Sequence, residues 1–195
     1  MNKGFDYLIS KVNDCSMKTV AVAVAQDAPV LEAIRAAKER NIANAILVGD
    51  KTKIEEVAAS IDMDLTGYEI IDIEDTYEAA LKAVSLVHDG KADMYMKGLI
   101  DTKSFLKSVL DKEVGLRTGK PLSHVCVFEV KGVDHLLFLS DVAFMTYPTL
   151  EDKVNIIENT VEICHACGIE NPKVAPLAAV EVVNPKMPAT VDAAE

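Results

Sequence analysis

TVAVAVAQDAP, residues 19–29, decides the fold. Valine alternates with alanine over 20–25 and no polar face appears, which reads as a strand buried on both sides. Gln26-Asp27-Ala28-Pro29 ends it: Asp27 can cap a helix and Pro29 can enter the first turn, so a helix is predicted over 28–40. The pattern repeats outward along the chain. AILV at 45–48 is a second strand, closed by Gly49-Asp50 and followed by a helix over 51–61. A third strand falls at 69–73, a helix over 77–88 is stopped by Gly90, and a fourth strand at 92–96 runs into Lys97-Gly98. Single helices between strands imply right-handed crossovers and a mainly parallel wound sheet with flanking helices. Its ligands are expected at the carboxyl ends of the strands.

Beyond residue 120 the rhythm changes. Strands at 125–130 and 136–139 are close enough to form a hairpin. A long amphipathic helix follows over 149–167, with Thr149 at its N-cap and acids in its first turn. A last strand is predicted at 174–180, and 190–195 begins another helix. The expected organisation is a first α/β domain over 1–145 that carries the phosphate-binding loops. The start of a second α/β domain follows over 146–195, read as truncated because the chain stops as a helix begins.

The chain has 195 residues, half of them apolar, enough to bury a substantial core. A net charge of −11, from 31 acids against 20 bases, argues against a nucleic-acid or anionic-membrane surface. An anionic ligand then needs a local cluster of cations. The opening MNKGFDYLIS lacks a charged stretch followed by a long apolar one, and no apolar run approaches the roughly 20 residues that span a bilayer, so a cytoplasmic location is expected. Four cysteines are too few and too scattered for a disulfide framework. Cys164 and Cys167 spell a CxxC inside a helical pattern with no second ligand pair, and are expected to be structural thiols. No spacing suggests a metal site, and the Gly-x-Gly-x-x-Gly of dinucleotide binders is absent.

Three stretches combine polar groups with strand ends. MKGLIDT, 96–102, delivers Lys97 and Gly98 to the mouth of a helix beginning near Thr102. Free backbone N–H groups, the helix dipole and a cation together suit phosphate. GLRTGKPLSH, 115–124, resembles a phosphate cradle, but only three residues separate Gly115 from Gly119 and Pro121 follows Lys120. It therefore departs from the nucleotide-hydrolysing P-loop while keeping two cations, Arg117 and Lys120, for an anion. EVVNPKMPATVD, 181–192, mixes amide, cation, hydroxyl and carboxylate around two stiffening prolines. Ser123 and His124 are adjacent, so in a strand they point to opposite faces and cannot form a dyad with each other. Asp141 stands at a strand end as a cap or ligand contact.

On VAVAVAQDAPVLEAIRAAKE, KEVGLRTGK, LLFLSDVAFMTYPTL and NPKMPAT, among other phrases spread over nearly the whole chain, the sequence resembles the phosphate acetyl/butyryltransferase family, its clostridial butyryl-transferring type above all. The resemblance implies reversible transfer of a short acyl group between coenzyme A and inorganic phosphate, giving butyryl phosphate and free coenzyme A. It implies no metal or redox cofactor, with the coenzyme A thioester acting as substrate. It further implies an isocitrate/isopropylmalate dehydrogenase-like pair of α/β domains with the active site between them, and a homo-oligomer that binds neither nucleic acid nor membrane. Carried onto this chain, it gives catalytic parts to Arg117, which would hold phosphate, and to Lys186 and Asp192 as polarising cation and base. Lys97, Gly98, Thr102 and Thr118 would shape the phosphate pocket, and Ser123 would donate a hydrogen bond. Two departures accompany it. The family type has asparagine where this chain has Met145, and its members run to roughly twice a typical domain's length, about 300 residues. A non-catalytic fragment or a small-molecule or phosphate-binding domain is the alternative reading.

Overall fold

The computed structural model describes residues 4–12 and 14–195. A helix that the sequence pattern did not announce, α1 (Phe5–Val12), precedes β1 (Lys18–Ala23), α2 (Ala28–Glu39), β2 (Ala43–Gly49), α3 (Lys51–Ser60) and β3 (Glu69–Asp72). Then come α4 (Thr76–His88), β4 (Met94–Lys97) and α5 (Thr102–Val109). The carboxyl-terminal part holds β5 (Cys126–Phe128), β6 (Leu137–Leu139), α6 (Leu150–Ala166) and α7 (Pro188–Asp192).

The position of β1 explains its composition. The order is β3-β2-β1-β4, all parallel, with Val22 beside Leu47 on one side and Met96 on the other. Successive side chains point to opposite faces. Val20 and Val22, with Ala45 and Leu47, pack under α2 and α3 through Leu31, Ile34, Ile54 and Ala58. Ala21 and Ala23, with Ile46 and Val48, meet α4 through Ala79, Ala80, Ala83 and Leu86, and small residues on both sides let that helix lie close to the sheet. Every side chain of 20–25 is therefore buried. Because β2 and β3 extend to one side of β1 and β4 lies on the other, the winding reverses between β1 and β4. In sheets of this type the crevice at that reversal binds ligands.

Local signals set the helix ends. Asp50, Asp75 and Asp101 each accept a backbone N–H of the helix they precede. Thr149 and Asp152 form a reciprocal capping box at the start of α6. Asp27 stands at the N-cap of α2, with Pro29 in the first turn, but makes no side-chain capping bond.

One predicted element is corrected. The run 174–180 is not a strand: it lies outside both sheets and bends at 179–180, with Val174 52% and Leu177 76% exposed. A ladder needs a neighbouring strand to take its N–H and C=O groups, and β propensity does not supply one.

The chain divides into two compact units, one of residues 9–118 and the other joining residues up to 8 with 119–195. In this division the antiparallel pair β5–β6 groups with the carboxyl-terminal part. Among the described residues, no helix is long and apolar enough to cross a membrane. Residues 1–3 of the opening MNKGFDYLIS, which entered the expectation of no targeting segment, lie outside the described residues.

Candidate functional site

In the 9–118 unit, the carboxyl end of β4 carries Lys97 and Gly98, and α5 begins five residues after Lys97. β4 stays paired with β1 past its last strand residue. The N–H of Gly98 donates to Ala23 O and that of Leu99 to Val24 O, both at 2.8 Å. A side chain at 98 is impossible without moving backbone, since a Cβ there would sit 2.3 Å from Val24 O and 2.5 Å from Ala23 O. Val24 takes part in this close approach with φ +58, a conformation that β-branched residues rarely adopt. Such strained residues gather at ligand sites.

The donors differ from the sequence expectation of free N–H groups. Those of Gly98, Leu99 and Ile100 are all taken by backbone carbonyls. The first turn of α5 is served by Asp101, whose carboxylate accepts the Ser104 N–H at 2.9 Å. Hydrogen bonding to Ser104 holds that carboxyl below its ordinary range, so it is an anion at neutral pH and opposes a second one at the helix mouth. The exposed polar side chains here are Lys97, whose Nζ reaches Gly98 O at 3.3 Å, and Thr102.

Arg117 and Thr118 lie elsewhere in the same unit. The Leu116 N–H donates to Val109 O at the far end of α5, and Gly115 O meets His88 Nδ1 from the end of α4 at 3.1 Å. Eight residues of α5, about 12 Å of helix, separate that end from Thr102. The structure thus groups Lys97, Gly98 and Thr102 at one end of α5 and brings Arg117 and Thr118 to the other. Gly115 is also explained by packing, because a Cβ would lie 2.4 Å from Asp111 O.

In the 119–195 unit, Ser123 Oγ accepts from Asn159 Nδ2 on α6 at 2.9 Å. Asp192, in α7, is held through Oδ2 by Lys153 Nζ of α6 at 2.5 Å, an ion pair whose side chains are 25% and 31% exposed. Lys186 is exposed, and its N–H donates to Asn184 Oδ1 at 3.0 Å. The loop between Asn184 and α7 is knotted by the buried Thr190 hydroxyl, which accepts the Asn184 N–H at 2.8 Å and lies 2.8 Å from Met187 O. Asp141 closes the turn after β6. Burial raises its carboxyl, but hydrogen bonds from the N–H groups of Phe144, Ala143, His124 and Met145 outweigh burial and hold it below its ordinary range.

Sequence reasoning missed Lys153 and Asn159. Each meets its partner across more than thirty residues, and only a helix register could have suggested them. It also passed over Gln26, just past β1, whose Oε1 is buried without a hydrogen-bond partner. Among the described residues no group of three or more His, Cys, Asp or Glu side chains is placed to hold a metal ion. Burial pushes the thiols of Cys164 and Cys167 above their ordinary range, as for structural cysteines.

Sheet order and a strand end that requires glycine define a wound α/β protein. The chain belongs to the phosphate acetyl/butaryl transferase family, whose model matches residues 5–80 and 76–195. Phosphate butyryltransferases from Clostridium beijerinckii and Clostridium acetobutylicum are each 61% identical to it over 194 residues, covering 100% of this chain and 64% of theirs. The chain thus spans under two thirds of the length of these curated relatives. Among solved structures, a branched-chain phosphotransacylase from Enterococcus faecalis V583 superposes with a TM-score of 0.74 and 30% identity, over 91% of this chain and 62% of that one.

Proposed function

We propose that this chain carries out, or contributes its part of, the reversible transfer of a butyryl group between coenzyme A and inorganic phosphate. The products are butyryl phosphate and free coenzyme A. The observation that supports this reading above others is the 61% identity, along the whole chain, to phosphate butyryltransferases. Coenzyme A and acyl phosphate are substrates in this reading, and no resident cofactor or metal enters it. We further propose a cytoplasmic homo-oligomer in which 119–195 supplies the start of a second α/β domain.

The chemistry sets what the residues must do. A thiol with an ordinary pKa near 8.5 must lose its proton before it attacks an acyl phosphate, and charge growing on the carbonyl oxygen and leaving phosphate must meet fixed donors. Lys97 and the Thr102 hydroxyl would seat phosphate at the β1–β4 reversal, with Gly98 allowing the close backbone approach that places them. Arg117 offers a planar two-pronged contact to a phosphoryl group, with Thr118 beside it. Ser123 would donate to a substrate oxygen while Asn159 holds its Oγ. Lys186 would polarise the carbonyl. Asp192, fixed by Lys153, would take the thiol proton.

The test is a coupled assay of the full chain with butyryl-CoA and phosphate, following thiol release. Turnover supports the reading, and well-folded protein that neither turns over nor binds phosphate or butyryl-CoA by calorimetry removes it. Lys97→Ala is expected to raise KM for phosphate roughly tenfold or more, the loss of a charge-assisted contact. Arg117→Ala does the same only if both cations serve one phosphate. An unchanged KM in Arg117→Ala assigns phosphate to the Lys97 end of α5 alone.

A further inference from the structure

We propose that Cys126 is a thiol-acylation site, taking a short aliphatic acyl group from an activated donor with His124 as its base. The proposal rests on the geometry of the 119–195 unit. His124 lies two residues before Cys126, the first residue of β5. His124 Nε2 stands 3.8 Å from Cys126 Sγ, within hydrogen-bonding reach for sulfur. The other ring nitrogen, Nδ1, is buried without a hydrogen-bond partner. The Phe144 ring, 5.5 Å away, packs against it. A nucleophile and a base in mutual reach are what acyl transfer to a side chain requires.

A second observation concerns what lies beside the thiol. Cys126 pairs with Leu139 and Phe128 with Leu137, so all four side chains share one face of the two-stranded sheet. Phe128, Leu137 and Leu139 are 45%, 41% and 41% exposed, an open apolar strip leading away from the half-buried sulfur. Such a strip is apolar surface against which a short alkyl chain could be buried. None of the other thiols combines these features. Cys15 is exposed and bonds Lys11 O at 3.5 Å. Cys164 and Cys167 lie at the end of α6, where burial disfavours their thiolates.

In the step, Cys126 Sγ attacks the acyl carbon and an S–C bond forms. The acyl bond to phosphate oxygen or to coenzyme A sulfur breaks. The thiol proton passes to His124 Nε2 and from there to the departing phosphate or thiolate. No redox partner is needed. The presence of such donors at this protein rests on the transferase reading, so the test supplies them.

The full chain is incubated separately with butyryl phosphate and with butyryl-CoA, and adducts reversed by hydroxylamine are mapped by mass spectrometry. Cys126 is expected to acylate at least about tenfold faster than Cys15 with one donor or both, a modest share of what a positioned base contributes. Whichever donor reacts identifies the source. His124→Gln should bring Cys126 down at least about tenfold while Cys15, the internal reference, is unchanged. Cys126 reacting no faster than Cys15 with either donor overturns the proposal, as does a folded His124→Gln that reacts like wild type. Should that variant misfold, the ratio of the two thiols in the wild-type chain decides alone. Absence of both transferase turnover and substrate binding would remove the function proposed above and leave this result standing.

Discussion

At the scale of single residues, the strand end after β4 is decided by Gly98. Its neighbours are the carbonyls of Ala23 and Val24, not the ends of flexible side chains, so an added methyl group cannot be relieved by a rotamer change. Gly98→Ala is expected to cost about 1–3 kcal/mol or more, the range for overpacking against fixed neighbours, read as a lower urea midpoint. Weaker phosphate binding should accompany it if Lys97 serves the anion, because Lys97 and Thr102 both depend on that approach. That a strand ends at Lys97-Gly98 was legible in the sequence. The positive φ of Val24 was not, since a β-branched residue argues against it; it accompanies the bond from the Leu99 N–H to its carbonyl.

At the scale of elements, α5 is fastened to the sheet by Tyr95 of β4. Its ring stacks on Phe105 at 4.6 Å, and its hydroxyl lies 2.8 Å from Ser108 Oγ and 3.2 Å from Ala80 O. Burial pushes the phenol up to about 12, with the Ser108 bond working against it and Tyr77 adding to it. The folded state therefore keeps the proton to higher pH than an unfolded tyrosine, which titrates near 10. Stability from this junction is complete below about pH 10 and is lost as pH rises from there toward about 12. Urea midpoints measured from pH 9 to 12 should fall more steeply in wild type than in Tyr95→Phe, and parallel curves would refute this. In α6, Thr149→Ala removes one side of the capping box and should cost roughly 1 kcal/mol. Elements bounded by aspartate caps and filled by apolar runs, such as β1 through α4, were readable because local signals and burial agree there. The run 174–180 misled because its valines carry a strand's propensity, although Pro176 within it has no N–H to give a ladder and was the local sign against one. A non-local limit hid the separation of Arg117 from Lys97: both cations are plain in the sequence, but their distance depends on how the chain leaves α5.

At the scale of the whole molecule, burial is unevenly shared. Apart from Leu136, Ile156 and Cys164, every buried apolar residue among those described lies between Val20 and Ile100. The carboxyl-terminal part instead exposes Val174, Leu177, Val182 and Val183 at 52%, 76%, 65% and 60%. Hydrophobic stabilisation scales with the apolar area removed from water, so the two parts cannot resist opening equally. Backbone amides buried under packed helices exchange only when a large cooperative unit opens, whereas amides in an exposed run outside any sheet or helix exchange almost freely. Hydrogen exchange on the full chain should therefore show the slowest amides in β1 and β2 and near-unprotected rates over 174–183. Brief proteolysis should cut first within 171–187 and leave 9–118 intact. Slow exchange over 174–183 in the chain alone would mean that this run has found a partner strand, a second copy included, and the rate should then rise on dilution. Exchange that stays slow at every dilution would contradict the open run described for 119–195.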